Sequence, residues 1–249
     1  MFRTSFTQAV VLYRHRVGEI HKGLLLLTLD MGMIRALAHG AYKMRSRFRT
    51  LTEPFSNIKV YLYHDPVKDQ YKITDVESLS IFTGIQGNMV KFFTASLWAE
   101  VIIKSYGGGE SSAELFNLFR NALKYLDSAM PGSEHYISQQ FLWRFMALSG
   151  FRPELSVCSN CSVEIKNMLF FPAGELAPFC SKCIKGKCSR LSSGARRYLQ
   201  TTLRLPLSTA LKVRLMEESV ISLKQVTFQL VQTMVESPLN TIKSGMGIL

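Results

Sequence analysis

No stretch of the sequence approaches the ~20 consecutive apolar residues that span a bilayer, although 47% of its 249 residues are hydrophobic. The opening Met1-Phe2-Arg3-Thr4-Ser5 has no long apolar run of the secretory kind. A cytoplasmic protein is therefore expected. Cysteine is scarce too: there are five, and four of them sit in metal-binding spacing rather than in a disulfide framework, which suits a reducing compartment. Acidic residues are few. Eighteen Asp and Glu stand against 30 Lys and Arg, for a formal net charge of +12.

Several signatures of catalysis are also missing. Gly84 to Gly87 and Gly107 to Gly109 lack the following Lys-Ser/Thr of a phosphate-binding loop, and no H-E-x-x-H or G-x-S-x-G occurs. The histidines (His15, His21, His39, His64, His135) are scattered. Glu100 has no partner His or Asp at a readable spacing. A zinc deaminase would need H-x-E and P-C-x-x-C. Here Tyr136 and Ile137 follow His135, and Phe179 separates Pro178 from Cys180. No enzyme is expected.

What the sequence does hold is concentrated. Cys158-Ser159-Asn160-Cys161 and Cys180-Ser181-Lys182-Cys183 are two CxxC pairs with 18 residues between them, the spacing of a zinc site. Thiolates suit Zn²⁺ because the ion is borderline-soft and tetrahedral, and one tight turn can present two sulfurs. Four sulfurs close the site, so one structural zinc per chain is expected, with Cys188 left over. A redox CxxC or chance clustering is the competing reading.

Charge is segregated. Residues 1–60 carry ten basic and three acidic side chains, and residues 182–216 carry nine basic and none acidic. Such segregation suggests a polyanion: nucleic acid first, an anionic membrane surface second, a solvated basic face otherwise. No amphipathic basic helix with a clear apolar face contains the cationic runs, so no membrane role is expected. Lys43, Arg45, Arg47 and Arg49 alternate through a stretch flanked by Tyr42 and Phe48. Cations for phosphates beside rings for bases are the means of holding single strands. Phe48 could equally be anchored in the fold.

Along the chain, residues 6–80 read as five short strands: Ala9–Tyr13, Gly23–Leu29, Ile34–Gly40, Ile58–Tyr63 and Gln70–Glu77. Turn chemistry lies between them and no βαβ rhythm appears, which suggests a small closed sheet such as an OB-fold barrel. Helical spacing follows. Val90, Phe93, Leu97 and Val101 lead to Gly107-Gly108-Gly109. Ser111-Ser112-Ala113-Glu114 has capping-box form, and a third helix runs from about Glu134 to a Gly150 cap. Trp98 and Trp143 are expected in the core. Residues 168–176 read as a hairpin between the cysteine pairs. Ser192 or Ser193 can cap a further helix, and a long one is predicted from about Ser208 to Val235. The fold class is therefore α+β. An OB-fold domain (1–80) precedes a helical domain (81–155 and 191–249) with an inserted four-cysteine zinc-ribbon module (156–190).

The order of these parts resembles the bacterial RecO family. The resemblance rests on Val11-Leu12-Tyr13-Arg14 with Gly18-Glu19, then Leu27-Thr28-Leu29-Asp30-Met31-Gly32-Met33-Ile34-Arg35-Ala36-Leu37-Ala38-His39-Gly40-Ala41. Ser46-Arg47-Phe48, Glu53-Pro54-Phe55 and Leu148-Ser149-Gly150-Phe151-Arg152-Pro153 continue it. It covers essentially the whole chain. It implies an OB-fold and a helical domain bearing a zinc module, acting at the nucleoid. It also implies a mediator that binds single- and double-stranded DNA and anneals complementary strands. The implied partners are RecR, the acidic tail of single-stranded DNA-binding protein and, indirectly, RecA. The family's DNA face maps to Arg35, Lys43, Arg45, Arg47 and Arg49, and its zinc ligands to Cys158, Cys161, Cys180 and Cys183. The chain departs from the family at His39, where a lysine commonly precedes the glycine. The alternative is a zinc-ribbon RNA-binding or transcription/translation-associated protein.

Overall fold

The computed structural model describes residues 4–105 and 112–245, and the chain divides into two compact units between Ala129 and Met130. The strands of the first unit are β1 (Thr4–Val17), β2 (His21–Thr28), β3 (Met33–Ala38), β4 (Asn57–Asp65) and β5 (Gln70–Ser80). They close into a barrel in the order β1-β2-β3-β5-β4. The neighbours are antiparallel except β3 and β5, which run parallel. A short helix, α1 (Phe48–Leu51), lies between β3 and β4. This is the OB-fold arrangement. Val11, Leu24, Leu26, Ile58, Val60 and Ile73 are among the side chains that fill the interior. The turn after β2 forms where expected: the Thr28 hydroxyl accepts the Met31 N–H and donates to the Gly32 carbonyl, and Gly32 takes φ +67°.

One irregularity sets the orientation of the barrel's outer face. Between Val11 and Tyr13, β1 advances two residues while β2 advances one, from Leu26 to Leu25. A bulge of this kind flips the phase of every later side chain. Tyr13, the last residue of an apolar run, consequently points outward and is 55% exposed. Arg14 and Arg16 pair with the inward positions Leu24 and Lys22.

Lys22 plugs one end of the barrel, with the exposed Arg14 and Arg16 beside it. Lys22 is fully buried. Its ammonium lies 3.0 Å from the Glu53 carboxylate and 3.1 Å from the Arg49 carbonyl, with the Tyr42 ring 5.3 Å away. Arg14 pairs with the same Glu53 at 2.8 Å, and the Arg16 guanidinium lies over Tyr42. Burying an ammonium is tolerable only when it is paired and hydrogen-bonded, and here its partners are α1 carbonyls and the residue just beyond α1. Lys22→Met is expected to cost about 2–4 kcal/mol and to loosen α1, since the Arg49 carbonyl and the Glu53 carboxylate lose the ammonium as donor. Urea unfolding of the variant against wild type checks this.

Three helices belong to the same unit: α2 (Thr83–Gln86), α3 (Met89–Ser105) and α4 (Ser112–Asp127). Gly107 to Gly109 and Ser111 lie outside the described residues. The buried face of α3 includes Leu97 and Val101 as expected and extends over Lys91, Ala95, Trp98 and Ile102, whereas Val90 is exposed. Lys91 is tolerated there because its ammonium caps the Asp127 carbonyl of α4 at 2.7 Å. The Asp127 carboxylate in turn accepts the Ile85 N–H of α2.

In the second unit α5 (Glu134–Leu148) ends at Gly150, φ +77°, as its cap predicts. After the cysteine segment come β6 (Leu169–Pro172), β7 (Cys188–Leu191), α6 (Ser193–Thr202), α7 (Leu207–Ala210), α8 (Glu217–Val235) and α9 (Asn240–Ser244). Ser192 caps α6 by accepting the Ala195 N–H at 3.1 Å. Trp98 and Trp143 are both fully buried in their respective units. Two expectations need correction. The long helix from Ser208 is broken, because Tyr136 holds the backbone of Leu215 and the helix restarts at Glu217 and Glu218, acids that suit a helix N-terminus. The hairpin at 168–176 does not close on itself either. Gly174 turns the chain, but β6 pairs regularly with β7, beyond the second CxxC, and with Phe179 through a two-bond bridge. Among the described residues no helix is long and apolar enough to cross a membrane.

Candidate nucleic-acid interface and metal centre

Because cross-strand partners share a face, the barrel register assembles an outer surface on β1, β2 and β3. One row is Tyr13, Leu25 and Arg35, and the next is His15, Gly23, Leu37 and Lys72. The Tyr13 and His15 rings stack 6.2 Å apart. Gly23 leaves room for this: a Cβ there would sit 2.3 Å from the His15 ring, which would have to move. The surface continues to His21 and His39, whose rings meet edge-on at 4.8 Å. It ends in a cleft of about 410 Å³ lined by Ile20, His21, His39, Gly40, Lys43, Arg45 and Ser46.

The five cations named from the sequence are all exposed but are not equivalent. Arg35, Lys43 and Arg45 stand on this face or in its cleft and make no ion pair among the described residues. Arg49, on α1, is likewise unpaired among them. Arg47 reaches β5 instead and binds Asp75 at 2.6 Å. Tyr42 belongs to the barrel plug and Phe48 packs against the core, so the loop's two rings are structural. Tyr13 and His15 are the exposed rings that the sequence reading missed. Their signal was the Arg14 and Arg16 alternation beyond the bulge. A second outward pair, Phe6 and Tyr61, stacks around Lys59, but Tyr61 donates to Glu77 there, a mixed-charge setting less suited to a polyanion.

In the second unit all four predicted ligands meet: the sulfurs of Cys158, Cys161, Cys180 and Cys183 lie within 4.8 Å of one another. Each pair sits on a tight turn. Ser162 donates to the Cys158 carbonyl with φ +57°, and Cys183 donates to the Cys180 carbonyl. The turns also aim N–H groups at sulfur. Cys180 N–H donates to Cys158 Sγ and Asn160 Nδ2 donates to Cys183 Sγ, each at 3.3 Å. Burial opposes ionisation of Cys158. The N–H groups of Cys180, Cys161 and Asn160 nevertheless outweigh it and bring the thiol down to about 6. Cys161 receives one such bond from Val163, but its bonds to the sulfurs of Cys183, Cys158 and Cys180, with burial, push it up to about 11. A cluster that favours one thiolate and resists a second needs a cation to ionise fully. The site can therefore bind a metal ion. Cys188, on β7, is not part of the cluster.

The module is held from both sides. The Arg196 guanidinium donates to the carbonyls of Ile165 and Lys166, and Gln229 of α8 donates to those of Phe171 and Pro172. Of the second basic segment, Arg196 is thus structural. Lys182, Lys185, Lys187, Arg190 and Arg197 remain exposed.

Fold and site together define a class: OB-barrel proteins with a helical unit that carries an inserted four-cysteine module. Residues 1–82 match the family described as Recombination protein O N terminal, and residues 86–242 match Recombination protein O C terminal. The DNA repair protein RecO of Heliobacterium modesticaldum is 31% identical over 205 residues, covering 80% of this chain and 73% of that protein. That of Rubrobacter xylanophilus is 29% identical over 218 residues, covering 86% of each. The chain belongs to the RecO family of DNA repair proteins.

Proposed function

We propose that the chain binds single- and double-stranded DNA on the β1–β2–β3 face and the basic loop, through Arg35, Lys43, Arg45, Arg47 and Arg49. It anneals complementary strands and helps RecA load on gaps covered by single-stranded DNA-binding protein. RecR and the acidic tail of that protein are its partners, in the cytoplasm at the nucleoid. The observation that carries this reading is the row of Tyr13, Leu25 and Arg35 leading into a cleft with Lys43 and Arg45. Exposed rings can stack on bases while neighbouring cations meet phosphates. Arg47 contributes less, because Asp75 competes with phosphate for it.

Annealing forms no covalent bond, so the chain is not an enzyme and uses no nucleotide. Cations on its surface hold two polyanions together and screen their repulsion. The metal is zinc and serves structure, since four thiolates leave it no open position for water or substrate. Cys158, Cys161, Cys180 and Cys183 would hold it.

The test is annealing of complementary DNA oligonucleotides, bare and coated with single-stranded DNA-binding protein. Acceleration in both settings is expected. Failure to anneal DNA, together with tight binding of structured RNA, would favour a zinc-ribbon RNA-binding protein instead.

A further inference from the structure

The cleft at the end of the barrel face combines two fixed cations with two imidazoles. Lys43 and Arg45 line it from the loop, His21 from β2 and His39 from the end of β3, with Ile20 at the β1–β2 turn. Its shape is set by backbone. Gly40 takes φ +65°, and its N–H donates to His21 Nδ1 at 3.1 Å. That bond pins the root of the loop. The His39 ring stands edge-on to His21 and is exposed.

We propose that this cleft is a proton-coupled phosphodiester subsite, in which His39, with Lys43 and Arg45, receives one backbone phosphate and takes up a proton from solvent as it does so. The inference rests on the DNA-binding reading above and adds its regulation. No carboxylate lines the cleft. The charged groups facing His39 from neighbouring elements are His21 on β2 and Lys72 on β5, and Lys72 is tied to Asp65 of β4 at 2.8 Å. Partial burial of the ring, ahead of the charges of His21 and Lys72, holds His39 below the ordinary imidazole value of 6.5. In the free protein near neutral pH it is therefore uncharged. A phosphate oxygen in the cleft reverses that balance, because an anion a few ångströms away favours imidazolium.

The sign follows from linkage. Binding raises the pKa of His39, so the extra affinity is fully present below the free value and is lost as pH rises through the bound value. A rise of one unit gives up to about a tenfold gain. The cleft would make strand capture tighter in mildly acidic conditions without changing sequence preference.

The test measures affinity for a fluorescent oligothymidylate from pH 5.5 to 8 at constant ionic strength, with calorimetry in two buffers to count protons. Wild type is expected to bind about five- to tenfold more tightly at the acidic end, with net proton uptake. His39→Ala should reduce the pH dependence and that uptake. His39→Lys should hold the tight, acidic-end affinity across the whole range. Identical pH profiles for wild type and His39→Ala would overturn the inference while leaving DNA binding itself intact. If no oligonucleotide binds at any pH, the DNA-binding reading fails, and the cleft is then judged with pyrophosphate. A pyrophosphate-induced rise in the His39 pKa, followed by NMR, would keep it as an anion site, and no shift would overturn it.

Discussion

Stripping the metal from the four-cysteine site is expected to unfold residues 156–190 and to loosen the helices that grip them. The module has few apolar side chains of its own: Ile165, Leu169, Phe171 and Leu191 are buried in or beside it. Its strands are four residues long. A sheet this small is marginal without another source of free energy. Structural zinc supplies about 10–16 kcal/mol of apparent binding energy in small finger peptides, far more than such a core. Cys158→Ser should have the same effect as chelation, because it removes the sulfur on which the turns converge their N–H groups. Arg196 and Gln229 would lose their carbonyl partners, so protection should fall in α6 and α8 as well.

Hydrogen exchange of loaded and chelated protein reads this out. Thiol titration gives an independent measure, with Cys188 alone expected to react in the loaded protein and all five cysteines after chelation. Protons compete with metal for thiolate, so acidification should release the ion. Loading should be lost as pH falls, not as pH rises. Purified protein without zinc, and with freely titratable thiols, would contradict the metal assignment.

The second large effect concerns the barrel. Replacing Arg35, Lys43 and Arg45 together by alanine is expected to weaken single-strand binding by about a hundred- to a thousandfold at ~50 mM salt. Each phosphate neutralised on a single strand contributes about 0.7 to the slope of log affinity against log salt, so three lost contacts reduce the slope by about 2. All sequences should suffer alike, since phosphate contacts carry no base information. Arg47→Ala should do much less. Its exposed pair with Asp75 is worth little for stability, and that pair already competes with phosphate for Arg47. Filter binding across a salt series decides the matter. An unchanged slope in the triple variant would remove these residues from the interface.

Much of this was legible before folding because it depends on neighbours in the chain. The CxxC spacing sets two sulfurs on one turn. Gly32, Gly150 and Ser192 mark turns and caps whose geometry is local. Gln70 to Glu77 does form a strand, but its buried Ile73 and Val76 lie three apart, because a bulge between them interrupts the alternation. The hairpin at 168–176 failed because pairing is chosen by partners far along the chain, and β7 offered a longer register than the nearby Phe179. The predicted helix from Ser208 failed for a similar reason: a tyrosine hydroxyl 79 residues away holds Leu215 out of it.

By itself, then, the sequence determined the barrel's strands, the four clustered cysteines and the excess of positive charge, each a matter of residue type and short spacing. Only the tertiary structure decided which cations are free and which rings face outward. Ion pairing acts through space: Asp75 finds Arg47 across 28 residues, and Glu53 finds Lys22 across 31. Outward and inward are properties of register, and one bulge between Val11 and Tyr13 exchanged them for the rest of β1. The charged loop proved to be a mixture of plug, pair and free cation. The candidate interface is the sheet face beside it.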